Sequence, residues 1–150
     1  MSIVNEMRTD FLACPENEAF ARMVVSAFLL PLNPTLEQLG DVKTSVSEAV
    51  TNAIVHGYKN MGGTVRIKAM LSDASELTVD VIDNGCGIAD IEKARTPFFT
   101  TEAGYERSGM GFTVMESFMD EVSVCSEVGR GTTVRMRKKI IAAGQDALEA

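Results

Sequence analysis

A two-layer α/β sandwich, with helices on one face of a mixed and largely antiparallel sheet, is the fold this sequence predicts. Three observations carry it. Apolar residues switch between period two and helical spacing along the chain, helical and strand-like segments alternate irregularly, and two strand pairs read as hairpins. A doubly wound parallel sheet would instead show a regular strand–helix alternation. At 150 residues the chain has the length of one domain, and no repeat, low-complexity tract or linker divides it, so 1–150 is read as a single unit.

The elements follow in order. Met7, Thr9, Phe11 and Ala13 alternate with Arg8, Asp10 and Leu12, which predicts a first strand at a sheet edge. Pro15-Glu16-Asn17-Glu18 makes an acidic helix start, and Phe20, Val24, Ala27 and Phe28 keep helical spacing until Pro31. Asn33-Pro34 supplies a cap and a first-turn proline for a long helix. Its stripe runs Leu36, Leu39, Val42, Val46, Ala49, Val50, Ala53 and Ile54, and ends at Gly57. After Met61-Gly62-Gly63, two strands alternate around Val65 to Leu71 and Leu77 to Val81. A short helix from Asp90 to Arg95, a polar loop from Pro97 to Ser108, and a helix from Gly109 to Phe118 come next. A hairpin of Val122 to Glu127 with Thr132 to Lys138 follows, and 142–150 is read as a frayed tail.

Charge and cysteine usage exclude several function classes. Fourteen Lys and Arg against twenty-one Asp and Glu leave a net charge of −7, which repels phosphate backbones and anionic lipid; neither nucleic acid nor membrane is an expected partner. An anionic ligand then needs a local site. The chain shows no basic, apolar leader and no run of eighteen apolar residues, so a cytoplasmic location is expected. Cys14, Cys86 and Cys125 match neither a disulfide framework nor zinc-site spacing and are read as reduced thiols.

Four short segments carry the candidate chemistry. Glu48 and Asn52 lie four apart on the long helix and so share one face. An amide oxygen from Asn52 suits Mg²⁺, a hard cation that takes few protein ligands, and Glu48 one turn away can accept a proton from an attacking hydroxyl. Asp83 ends a strand of apolar neighbours, which aims its carboxylate into a loop pocket. An acceptor there favours adenine, with its amino group, over guanine, with its carbonyl, while Gly85 and Gly87 let the backbone approach the base. Gly109-Met110-Gly111 opens a helix, where unpaired N–H groups and the dipole favour phosphate. Arg107, in the polar loop before it, is the candidate for the γ-phosphate. Thr132, opening the last strand, offers a hydroxyl to the base or simply satisfies a strand preference. The P-loop, the dinucleotide fingerprint and the eukaryotic kinase motif are all absent.

Taken together, Glu48-Ala-Val-Thr-Asn52-Ala-Ile-Val-His56-Gly57, Asp83-Asn-Gly85-Cys-Gly87, Gly109-Met-Gly111-Phe112 and Gly131-Thr132-Thr133 resemble the GHKL superfamily of ATP-binding domains over nearly the whole chain. The texture of Val46 to Tyr58, Phe99-Thr100-Thr101 and Glu106 to Glu116 is most similar to the bacterial anti-sigma factors with serine kinase activity, in their sporulation branch. The resemblance implies a two-layer GHKL fold and a homodimer that sequesters a sigma factor of the sigma F type. It also implies use of Mg-ATP to phosphorylate a serine on an anti-anti-sigma partner. Residue by residue it makes Glu48 the base, Asn52 the Mg²⁺ ligand, Asp83 the adenine reader, and Gly109 and Gly111 the phosphate loop. Thr100, Ser108 and Met110 fall in the same nucleotide-binding motifs, and Arg22 on the first helix is implied as a partner contact. Where close relatives carry a lysine after the paired threonines, this chain has Glu102, followed by Ala103-Gly104 rather than a proline. A general-stress anti-sigma kinase, a catalytically silent ATP-dependent sigma-binding module and a detached histidine-kinase domain are the alternative readings.

Overall fold

The computed structural model describes residues 2–96 and 111–144. Its order is β1 (Ile3–Leu12), α1 (Asn17–Leu29), α2 (Leu36–Asn52), β2 (Thr64–Ser72), β3 (Glu76–Asp83), α3 (Ile91–Ala94), α4 (Gly111–Phe118), β4 (Glu121–Glu127) and β5 (Gly131–Lys139). The five strands form one sheet in the order β1-β2-β3-β5-β4, and each of the four pairings is antiparallel. The expected largely antiparallel sheet with helices on one face is therefore present, and β1 occupies the expected edge.

Period-two patterning decides which face is covered. Val65, Ile67, Ala69 and Leu71 of β2, Leu77, Val79 and Val81 of β3, and Val134 and Met136 of β5 are buried beneath the helices. Val25 and Leu29 of α1, Val42, Val46, Ala49 and Val50 of α2, and Phe112 and Met115 of α4 complete that core. Each fully buried Leu or Met side chain contributes roughly 1.5–3 kcal/mol. The other sheet face is polar. There Asp80, 4% exposed, accepts two hydrogen bonds from Arg135, at 2.7 and 2.8 Å, on the neighbouring strand. Among the described residues no helix is long and apolar enough to cross a membrane.

Element ends differ from expectation for identifiable reasons. Pro31 does not stop the first helix outright but sits in a single 3-10 turn, Leu30–Leu32. The cap of α2 is Thr35, not Asn33: the Thr35 hydroxyl accepts from the Gln38 N–H at 3.1 Å, while Asn33 is left-handed and Pro34 bridges to Ala142. That bridge, with the Ala143 N–H donating to the Asn33 carbonyl, holds the first two residues of the stretch expected to fray. The long helix does not run regularly to Gly57 either. It ends at Asn52, and Ala53–Gly57 widens into a π-helical turn in which Ala53, Ile54 and Val55 are all buried. β1 begins earlier than expected, at Ile3.

Candidate nucleotide site

The covered face of the sheet changes from apolar to polar at one end. In β3 the inward parity Leu77, Val79, Val81 continues to Asp83, and Asp83 lies opposite Thr132 of β5, which lies opposite Ser126 of β4. Together, Ser126, Thr132 and Asp83 make a polar rung at the end of the core. Burial raises the Asp83 pKa above its ordinary value, opposed by hydrogen bonds from the backbone N–H groups of Gly85 and Thr132. The Gly85 N–H lies 2.9 Å from the carboxylate.

The loop after β3 is clamped by backbone. The Cys86 N–H donates to the Gly57 carbonyl at 2.9 Å and the Gly129 N–H donates to the Cys86 carbonyl at 2.8 Å. A Cβ on Gly85 would overlap the Gly57 carbonyl, and Gly87, at φ 76°, turns where a Cβ would overlap the Glu127 carbonyl. Tyr58 ties the same region together: its hydroxyl accepts from the Asn84 N–H at 2.7 Å and donates to the Thr64 carbonyl at 2.6 Å. The π turn after Asn52 delivers Gly57 against Asp83, where an added Cβ would sit 2.9 Å from all three carboxyl atoms.

On the far side of the same cavity stands α2. A Cβ built on Gly111 would lie 3.1 and 3.3 Å from the Asn52 amide atoms and 3.3 Å from Glu48 Oε2, so both side chains converge on the start of α4. Glu48, Asn52, Asp83, Gly87, Gly111 and Thr132 all line one cavity of about 460 Å³. Gly85, whose N–H bonds the Asp83 carboxylate, is not in the lining. Lys59 and Lys93, which the sequence reading did not single out, line it too. Ser126 and Tyr58 were likewise missed: nothing in their sequence context marks a hydroxyl that bonds the backbone N–H of Ile88 or Asn84, 38 and 26 residues away. Thr100, Arg107, Ser108, Gly109 and Met110 lie outside the described residues. Arg22 is elsewhere, on α1, 3.1 Å from Glu18. Glu18 lines a second cavity of about 340 Å³, which shares Glu48 and Thr51 with the first.

Glu48, Asn52 and Asp83 thus line one cavity, and residues 11–138 match the family model of the histidine kinase-like ATPase domain. Curated relatives narrow the family. An anti-sigma F factor of Clostridium acetobutylicum is 58% identical over 135 residues, covering 90% of this chain and 94% of that one. One from Geobacillus kaustophilus is 56% identical over 137 residues, covering 91% and 93%. The chain belongs to the anti-sigma F factor family. Among solved structures, a Mycobacterium tuberculosis chain with RsbU and RsbW domains superposes with a TM-score of 0.65 at 16% identity, over 91% of this chain and 33% of that one. The catalytic domain of the histidine kinase ThkA superposes with a TM-score of 0.53 at 16% identity, over 89% and 96%. At such identities these two establish the fold of this anti-sigma F family member and nothing finer.

Proposed function

We propose that this chain is an anti-sigma factor that holds a sporulation sigma factor of the sigma F type and, with Mg-ATP, phosphorylates a serine on an anti-anti-sigma partner. The single observation that carries the kinase reading is the convergence of Glu48 and Asn52 on Gly111 within the cavity that Asp83 closes. Adenine is held at the Asp83 end, with Thr132 beside it. Phosphates are assigned to the start of α4 at Gly111, and Gly109, Met110, Arg107, Ser108 and Thr100 are assigned to phosphate binding by the motifs they share with the family.

The donor set fits magnesium: Asn52 brings a hard amide oxygen beside a glycine whose missing side chain leaves room at that oxygen. When bound, Mg²⁺ neutralises charge building on the transferring phosphate. Glu48 removes the proton from the partner's serine hydroxyl as its oxygen attacks the γ-phosphorus, the bond to the bridging oxygen breaks, and ADP leaves with that electron pair. Arg107 stabilises charge on the transferred group. Glu48 lines the second cavity as well as the first, which supports entry of the serine from the side of α1, next to the Glu18–Arg22 pair. Arg22 is accordingly assigned to partner contact. The open edge of β1, with Ile3, Val4 and Leu12 more than half exposed, supports pairing with a second copy as a homodimer.

Transfer of γ-labelled phosphate from Mg-ATP to a purified anti-anti-sigma partner tests the reading. Acid-stable phosphoserine is expected, falling about 10²- to 10⁴-fold with Glu48→Gln while ATP binding stays within a few-fold. ATP binding with no transfer to a partner shown to form the complex would instead leave a silent sigma-binding module.

A further inference from the structure

The polar rung carries more than a hydroxyl beside an acid. Ser126 Oγ lies 2.7 Å from the Ile88 N–H nitrogen, 3.0 Å from the Gly131 carbonyl oxygen and 2.8 Å from Thr132 Oγ1. An N–H only donates and a carbonyl only accepts, whereas a hydroxyl has one proton and two lone pairs. Satisfying all three partners therefore fixes one proton order. Ser126 accepts from Ile88, gives its own proton to Gly131, and has only a lone pair left for Thr132. Thr132 must be the donor in that contact.

We propose that Ser126 is a positioning residue for purine selection. By taking the Thr132 proton it leaves Thr132 Oγ1 with lone pairs alone to offer the cavity. The base end then presents two acceptors side by side, the Asp83 carboxylate and the Thr132 hydroxyl, on neighbouring strands of one rung. A purine with an amino group at its six-position can donate to this pair. One with a carbonyl at that position sets its oxygen against these lone pairs and keeps only its N1–H as a donor on that edge, and Thr132 cannot turn its proton toward the carbonyl without breaking its bond to Ser126. Asp83 alone would leave that escape open. The inference rests on the reading of the cavity as a nucleotide site and adds a residue outside its lining that decides which nucleotide fits.

Ser126 also anchors the loop through Ile88, so its loss can loosen the site for every nucleotide alike. The ratio of affinities for ATP and inosine triphosphate is free of that common effect, because the two differ at the six-position and N1 only. Titration of the full chain with each nucleotide, with Mg²⁺ present, gives the test. Ser126→Ala is expected to lower the ATP preference about tenfold, the scale of one hydrogen-bond mismatch at a desolvated site. Ser126→Thr, which keeps the hydroxyl, is expected to preserve the preference within about twofold. In a Thr132→Val background, Ser126→Ala is expected to leave the ratio unchanged. If Ser126→Ala does not fold, Ser126→Cys, a poor acceptor, is read on the same ratio. ATP binding with an unaltered preference in the alanine or cysteine variant overturns the relay, as does an equal drop in the Thr132→Val background. Failure of the unaltered chain to bind either nucleotide overturns the nucleotide-site reading, and the relay with it.

Discussion

The two ends of the cavity are built by different means. At the Asp83 end, the lining is backed by tightly packed backbone: an added Cβ on Gly85, Gly87 or Gly131 would overlap the carbonyl of Gly57, Glu127 or Asp83. At the Glu48 end the nearest neighbours are side-chain tips, for the same test at Gly111 first meets the Asn52 amide and the Glu48 carboxylate, at 3.1–3.3 Å. Backbone held in a sheet and a π turn cannot yield, whereas a Glu or Asn tip swings by rotamer changes. Under the function proposed above, the rigid end would recognise one flat base and the adaptable end would follow a phosphoryl group that changes position as it is transferred.

The largest expected effect is the loss of transfer in Glu48→Gln, with melting of the nucleotide-free chain, measured alongside, expected to shift little because the amide keeps the shape of the carboxylate. Gly85→Ala is the opposite case. Its methyl group meets the Gly57 carbonyl, so unfolding by urea is expected to show about 3 kcal/mol less stability, the upper part of the range for overpacking, and nucleotide binding is expected to vanish. Equal melting temperatures for Gly85→Ala and the unaltered chain would break the comparison.

Asp83→Asn sharpens it through pH. Burial raises the Asp83 pKa in the folded chain, so the folded form holds this proton to higher pH than the unfolded one. Its contribution to stability is fully present below the ordinary carboxylate pKa and is lost as pH rises through the raised value. Above that window the folded chain carries a desolvated carboxylate that Asn does not. The melting temperature of Asp83→Asn relative to the unaltered chain is therefore expected to rise between pH 4 and pH 7, while ATP binding is lost. A relative melting temperature that falls over that interval would show that the carboxylate stabilises the nucleotide-free fold. The smallest effect belongs to Arg66→Ala, remote from both ends. Its ion pair with Asp10 is exposed, and thermal melting is expected to show no resolvable change.

Much of this was legible in the sequence because burial on one sheet face imposes a strict period of two. Val65 to Leu71, Leu77 to Val81 and the last hairpin fell where their alternation put them. Glu48 and Asn52 were legible as neighbours since helical geometry is local. The cap at Thr35 was missed although Thr35-Leu36-Glu37-Gln38 carries the capping-box pattern, because Asn33-Pro34 presents a competing signal two residues earlier. The π turn left one trace, three consecutive apolar residues at Ala53, Ile54 and Val55, which a single helical stripe does not bury together. Tyr58 and Ser126 left none: apart from the Thr132 hydroxyl, their partners are backbone groups of other strands and loops, and no spacing in one sequence encodes them.

The sheet order also sets when the site comes into being. Neighbouring strands β3 and β5 are not successive in the chain; Asp80 and Arg135, bonded across them, are 55 residues apart. Closing so long a loop is an entropic cost met only when the intervening helices and β4 are in place, which makes this pairing a late event in folding. During synthesis the helix bearing Glu48 and Asn52 leaves the ribosome well before Thr132 does. A nascent chain therefore carries its acid and its amide long before it has a floor against which a base can rest.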